Sequence, residues 1–127
     1  MTDAPRCPYC GVPSRLVTGA TIYPHRPDLA DKHFYECRPC GAYVGCHPGT
    51  QKPLGRLADA ELRRWKMRVH AEFDPHWRRS RNPHARASAY KRLAQDLGIP
   101  RQECHTGMFD VERCKAALEV IRGWGKP

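Results

Sequence analysis

The sequence lacks most of the patterns that would assign a chain of 127 residues to a familiar class. No apolar run approaches the length of a membrane span, so a soluble protein is expected. The first six residues, Met1-Thr2-Asp3-Ala4-Pro5-Arg6, lack the apolar stretch of a secretory signal. Nothing resembles a catalytic carboxylate pair, a P-loop or a dinucleotide fingerprint. These absences argue against a secreted protein and against common nucleotide-using enzymes, and no small-molecule substrate is expected.

Apolar residues are also modest in number, and the cysteine count is odd. Hydrophobic residues make up 40% of the chain, and twelve residues are proline, so the core should be small and loops plentiful. Chains of this kind often depend on a structural metal for part of their folding free energy. Seven cysteines without a signal sequence predict reduced thiols in a cytosol.

Four of the cysteines form two short pairs. The pairs are Cys7-Pro8-Tyr9-Cys10-Gly11 and Cys37-Arg38-Pro39-Cys40-Gly41, with 26 residues between Cys10 and Cys37. Two residues between cysteines allow a tight turn to aim both sulfurs at one metal, and the following glycine tolerates the positive φ of such turns. We therefore predict one structural Zn²⁺ ion held by four thiolates, a closed site with no open position for catalysis.

The other cysteines lie near two histidines. These cysteines and histidines could form a second metal site. However, Cys114 falls on an apolar helix stripe, and buried free cysteine is common. The set is Cys46, His47, Cys104, His105 and Cys114. Structural thiols are the favoured interpretation, and a cysteine nucleophile with an adjacent histidine base is disfavoured because neighbours in sequence do not make that geometry.

Three short segments rich in β-branched and aromatic residues flank the cysteine pairs and predict antiparallel strands. They cover residues 15–23, 32–36 and 42–46. Two prolines in residues 24–28 exclude a central strand there and predict an exposed loop. Cysteine turns alternating with strands in this way indicate a zinc ribbon over residues 1–50.

Residues 51–127 are predicted to be a basic helical region sharing one core with the ribbon. Asp59 is a candidate cap for a first helix. Its apolar positions fall on one stripe: Leu62, Trp65, Val69 and Phe73. Asp74-Pro75 predicts a new turn that begins with a cap and a proline. The fold class is therefore α+β, with about three short antiparallel strands packed with three to four C-terminal helices.

Two further helices carry clear end signals. One covers roughly residues 86–97, places Tyr90 in the core and ends at a left-handed Gly98. The last begins after Asp110 as cap, with Phe109 packing onto Cys114. Gly123 is predicted to close it.

The formal net charge of +9 is concentrated in the middle of the chain. Residues 56–92 hold eleven Lys and Arg against four Asp and Glu. The residues predicted to bind nucleic acid are Arg63, Arg64, Arg68, Arg78, Arg79, Arg81, Lys91 and Arg92. The planar guanidinium group matches phosphate oxygens, and Trp77, Tyr9 and Tyr43 could stack on bases, whereas Trp65 and Tyr90 are expected in the core. A solvated, solubilising face is the alternative.

Several motifs together resemble a family of small phage and prophage proteins known chiefly as a zinc-finger-containing domain of unknown function. They lie at residues 7–11, 40–50, 53–58, 73–75, 97–100 and 104–110. The motifs Gly-Cys-His-Pro-Gly-Thr and Gly-Met-Phe-Asp are the most specific. The resemblance implies a viral or mobile-element origin, a bacterial host cytosol and a zinc ribbon fused to helices. It implies no established activity.

The function predicted first is non-enzymatic binding of DNA or RNA through the basic helical face. The alternative is an adaptor or inhibitor that binds a host protein, such as a polymerase or a defence factor. A metal-dependent nuclease is the third hypothesis, suggested by the residue types of His47, Asn82 and His84. Their spacing matches no nuclease motif, so the protein is expected not to be an enzyme.

Overall fold

The computed structural model describes residues 4–126 and divides the chain into two compact units, Met1–Ala60 and Glu61–Pro127. Residues 51–60, assigned above to the helical region, belong to the first unit. The α+β class is confirmed, with one three-stranded antiparallel sheet and a helical second unit. No helix within residues 4–126 is long and apolar enough to cross a membrane.

The first unit is built on a meander of three strands, β1 (Arg15–Thr18), β2 (His33–Cys37) and β3 (Ala42–Gly45), in the order β1-β2-β3. Leu16 pairs with Tyr35, and Tyr35 pairs with Val44. The side chains of Phe34, Tyr35 and Cys37 are buried on the central strand. Three antiparallel strands around the cysteine turns make this unit a zinc ribbon.

The first predicted strand is too long, because the chain turns at Gly19. Residues Gly19–Ile22 form a single helical turn, α1, instead of continuing the strand. The Gly19 N–H donates to the Lys32 carbonyl at 2.8 Å, and a Cβ at Gly19 would lie 1.7 Å from the Leu29 carbonyl oxygen. This close backbone approach requires glycine and ends the strand despite the β-branched residues that follow. The loop contains a short 3₁₀ turn, Pro27–Leu29.

A return segment after β3 completes the first unit. Tyr43 and Ala58 exchange backbone hydrogen bonds of 3.1 and 3.0 Å, and Cys46 and Pro53 form an isolated bridge. These contacts bring Leu57 into a core where it is fully buried. The core comprises Cys7, Tyr35, Cys37, Ala42 and Leu57.

Four helices follow the ribbon, in agreement with the predicted three to four. They are α2 (Ala60–Phe73), α3 (Pro75–Arg78), α4 (Ala85–Leu97) and α5 (Val111–Gly123). Two 3₁₀ turns, Arg101–Glu103 and Thr106–Met108, connect α4 to α5. The predicted stripe of α2 is buried except for Trp65, which is half-buried.

The core of the second unit centres on α4. The Tyr90 ring lies 4.7 Å from the Phe73 ring between centroids, and its hydroxyl bonds Thr106 Oγ1 at 2.8 Å. Leu93 on α4 and Leu118 on α5 are also buried. Core packing is thus confirmed for Tyr90.

Some helix ends match the sequence signals and others do not. Asp110 caps α5 by accepting the Arg113 N–H at 2.7 Å, and Gly98 is left-handed at φ 72°, as predicted. Asp74 is helical and makes no capping bond, because its carboxylate is engaged by side chains of α2 and α3 instead. Gly123 is the last residue of α5, and the left-handed glycine is Gly125 at φ 81°.

Candidate metal centre and basic surface

Each cysteine pair forms a tight turn closed by a backbone hydrogen bond. The Gly11 N–H donates to the Cys7 carbonyl at 2.8 Å, and the Gly41 N–H donates to the Arg38 carbonyl at 3.1 Å. Both glycines have positive φ, 78° at Gly11 and 65° at Gly41. A side chain would be strained in this conformation, which explains the glycine after each pair.

The four sulfurs meet at one point. All the Sγ atoms of Cys7, Cys10, Cys37 and Cys40 lie within 4.8 Å of one another, and those of Cys10 and Cys37 are 3.7 Å apart. A tetrahedral zinc with Zn–S bonds of about 2.3 Å has sulfur–sulfur edges of about 3.8 Å. A disulfide needs about 2.05 Å. The donor set and its spacing therefore fit one structural zinc ion.

The pKa values of these thiols are shifted in opposite directions, lowered at Cys7 and raised at Cys37 and Cys40. Burial is the largest single influence on Cys7 and raises its pKa, but hydrogen bonds from backbone N–H groups and from neighbouring cysteine side chains together lower that pKa. Hydrogen bonding to the sulfurs of Cys10 and then Cys37 raises the pKa of Cys40 to about 12. Four thiols this close cannot all ionise without a cation between them, so a divalent metal supplies the missing charge.

The metal site is continuous with the apolar core of the ribbon. Cys7 is 1% exposed and Cys37 is 6% exposed, and both pack with Tyr35 and Leu57. Cys10 is exposed. Two ligands thus come from the core and one reaches the surface, which is the arrangement of a structural site and not of a substrate site.

A comparison with protein families decides the assignment. A family model described as a zinc-finger-containing domain matches residues 3–124. The chain belongs to this family. No curated protein and no solved structure matches it significantly. The zinc-finger family predicted from the motifs is confirmed, one structural zinc site is the common conclusion of sequence, family and geometry, and the phage or prophage origin stays a prediction.

The candidates for a second site in this zinc-finger protein are dispersed. Cys46 is half-buried in the ribbon unit and His47 is exposed, while Cys104 and Cys114 are fully buried in the helical unit. The His105 Nδ1 accepts the Gly107 N–H at 3.1 Å as part of a local turn. Within residues 4–126, three or more ligand atoms are gathered only at the four ribbon cysteines.

Most of the predicted basic residues lie on the surface. Arg63 is half-buried and the other seven are exposed. Among those seven, only Arg78 lies within 4.0 Å of a carboxylate of the described residues, at 3.4 Å from Asp74. The other six are Arg64, Arg68, Arg79, Arg81, Lys91 and Arg92.

The aromatic candidates occupy different environments. The Tyr9 hydroxyl accepts the Asp59 N–H at 3.1 Å, and Tyr43 packs edge-on against Phe34, with its hydroxyl bonded to that of Tyr23. Trp77 lies on α3 and is half-buried, and its Nε1 donates to Asp74 Oδ1 at 3.3 Å.

Two guanidinium groups lie near the Trp77 ring. The Cζ atoms of Arg78 and Arg86 are 5.6 and 5.8 Å from its centroid. Arg86 belongs to the predicted basic stretch of residues 56–92, and its position four residues before Tyr90 places the two on one helix face.

The residues behind the nuclease hypothesis have structural roles. The Asn82 Oδ1 accepts the His84 N–H at 2.9 Å, forming a turn that leads into α4. His47 shapes a separate turn, in which its carbonyl accepts the Thr50 hydroxyl at 2.9 Å. His47 belongs to the first unit, whereas Asn82 and His84 belong to the second.

Proposed function

We propose that this zinc-finger protein binds nucleic acid through the basic surface of its second unit, without catalysing a reaction. The observation that carries the proposal is that, within residues 4–126, seven exposed cations on α2, on α4 and in the segment joining α3 to α4 have no carboxylate within 4.0 Å. The residues are Arg64, Arg68, Arg79, Arg81, Arg86, Lys91 and Arg92.

Positive charge without carboxylate partners favours an external polyanion. Acidic residues are present in the same unit, yet Glu72 pairs with Arg122 and Asp74 with Arg78. Seven cations therefore remain to repel one another unless an anionic ligand compensates them. Six of the seven are arginines, whose planar group binds phosphate oxygens with two parallel hydrogen bonds.

Contacts of this kind position a nucleic acid without reading its sequence. Trp77 with Arg78 and Arg86 would add an aromatic and guanidinium surface for unpaired bases. In this proposal the zinc ribbon has a structural role, and its metal ion does not contact the nucleic acid. The resemblance to phage and prophage proteins extends the proposal to a protein of mobile-element origin that acts in a bacterial cytosol.

A salt titration tests the proposal. The wild-type protein should bind a labelled oligonucleotide with an affinity that falls steeply with salt, because each displaced counterion contributes to the slope. In Arg79→Gln/Arg81→Gln, the magnitude of the log–log slope should fall by about 1.4–1.8, since each lost phosphate contact removes about 0.7–0.9. Binding should weaken equally for unrelated sequences.

The matched control removes two arginines that already have carboxylate partners. Arg26→Gln/Arg122→Gln makes the same change in net charge, but Arg26 pairs with Asp28 and Arg122 with Glu72. Its binding should stay close to that of the wild type. No binding at low salt, or an equal loss in both double variants, would contradict the proposal. A host protein captured from a lysate after nuclease treatment would instead favour the adaptor hypothesis.

A further inference from the structure

We infer that Arg86 and Arg101 form a phosphate-binding subsite organised by the ring of Tyr90. The inference rests on the proposed nucleic-acid function and adds to it a residue, Arg101, that lies outside the basic stretch of residues 56–92. The ligand is a phosphate group of a nucleic acid, either within the chain or at its end.

The two guanidinium groups share one aromatic ring. The Cζ of Arg86 lies 5.0 Å and that of Arg101 lies 5.1 Å from the Tyr90 centroid, so the two carbons are no more than about 10 Å apart. Arg86 comes from α4, and Arg101 comes from the 3₁₀ turn Arg101–Glu103 that follows it. Two separate elements therefore each bring one cation to the same ring.

The ring that holds them is fixed in position. Tyr90 is 2% exposed, and its hydroxyl is bonded to the buried Thr106. The His105 imidazole lies parallel to it, with an interplanar angle of 8°. A buried ring cannot stack on a base, so its role is to orient the guanidinium planes, as cation–π contacts do.

Neither arginine is neutralised by the protein. Arg101 donates from Nη1 to the Cys104 carbonyl at 3.0 Å, and Arg86 makes ring contacts with Trp77 and Tyr90. Within residues 4–126 neither has a carboxylate within 4.0 Å, and both are exposed. Two preoriented, exposed and uncompensated guanidinium groups match a phosphate or two neighbouring phosphates.

The test compares two double variants with the wild type. Arg86→Gln/Arg101→Gln should reduce the magnitude of the salt slope for oligonucleotide binding by about 1.4–1.8. Arg86→Lys/Arg101→Lys should keep most of the slope, because charge is retained, yet bind more weakly because the planar fork is lost. Arg26→Gln/Arg122→Gln serves as the control for net charge. Thermal melting verifies that the variants fold. If the glutamine variant fails to fold, the lysine variant still tests the subsite.

Two oligonucleotides distinguish the source of the phosphate. A loss confined to a 5′-phosphorylated strand supports an end-binding subsite, and an equal loss for a 5′-hydroxyl strand supports a subsite for internal phosphates. Wild-type slope and affinity in both double variants would overturn the subsite while leaving nucleic-acid binding intact.

Inorganic pyrophosphate separates the two proposals. If the wild type binds no oligonucleotide but shows a saturable pyrophosphate titration that Arg86→Gln/Arg101→Gln abolishes, the subsite stands and the nucleic-acid function does not. If neither ligand binds, both proposals are overturned.

Discussion

The hydroxyl of Tyr90 and Oγ1 of Thr106 lie 2.8 Å apart, and both side chains are about 2% exposed. Tyr90→Phe would leave the Thr106 hydroxyl buried without this partner, at a cost of about 1–3 kcal/mol in the free energy of unfolding. Chemical denaturation measures this loss as a lower midpoint with an unchanged slope.

A double-mutant cycle supplies the control. Thr106→Val removes the other hydroxyl, and the double variant should lose less stability than the sum of the two single variants, since no unpaired group remains. Zinc content should equal that of the wild type, because the four ligands belong to the other unit. Strict additivity would show that the hydrogen bond contributes nothing.

Zinc affinity should rise with pH. Hydrogen bonding to Cys10 and Cys37 raises the pKa of the Cys40 thiol to about 12 in the metal-free protein, so this thiol is protonated at neutral pH and zinc must displace its proton. Each displaced proton lowers the apparent affinity by about tenfold for every pH unit of acidification below the thiol pKa. Competition with a chromophoric chelator at several pH values measures the slope.

Serine variants identify which cysteines bind the zinc ion. Cys40→Ser should abolish tight zinc binding, whereas Cys46→Ser should leave one equivalent bound, since Cys46 lies outside the group of four sulfurs. An affinity that does not change with pH, or equal effects of both substitutions, would refute the four-thiolate site.

Gly19→Ala should destabilise the ribbon. The added Cβ would lie 1.7 Å from the Leu29 carbonyl oxygen, so the backbone must move. Overpacking of this kind costs about 1–3 kcal/mol, and occasionally more. The measurement is the temperature of zinc release on heating, which should fall.

Gly123→Ala is the control for Gly19→Ala. No atom lies within 4 Å of the position a Cβ would take there, and the residue is helical. The change should stabilise the helical unit by up to about 1 kcal/mol, because alanine loses less backbone entropy in a helix. Equal destabilisation by the two changes would contradict the steric argument.

The features that sequence predicted well are those encoded over a few residues. Two residues between cysteines and a following glycine suffice to define a zinc turn, and the signals of Asp110 and Gly98 act within one helical turn. The helical unit was therefore predicted closely in its last two helices. The same locality explains why the zinc ligands could be named before the structure.

The errors arise where a contact outside a short sequence motif overrides the signal of that motif. The strand predicted for residues 15–23 ends early because Gly19 meets Leu29 across a loop. Asp74 has the residue type and the following proline of a cap, but contacts with His70, Trp77 and Arg78 take its carboxylate. Counting charges along the sequence could not associate Arg101 with Arg86 either. Fourteen residues lie between them, and only the packing of the turn on α4 brings both to one ring.

The unequal burial of the zinc ligands governs how fast the metal can leave. Cys7 and Cys37 are enclosed in the ribbon core, so a chelator first attacks at the exposed Cys10 or the half-buried Cys40. Complete removal then requires local opening around Tyr35 and Leu57. The lifetime of the bound ion is therefore set by the rate at which the ribbon core opens. The rate of zinc exchange then measures that opening rate.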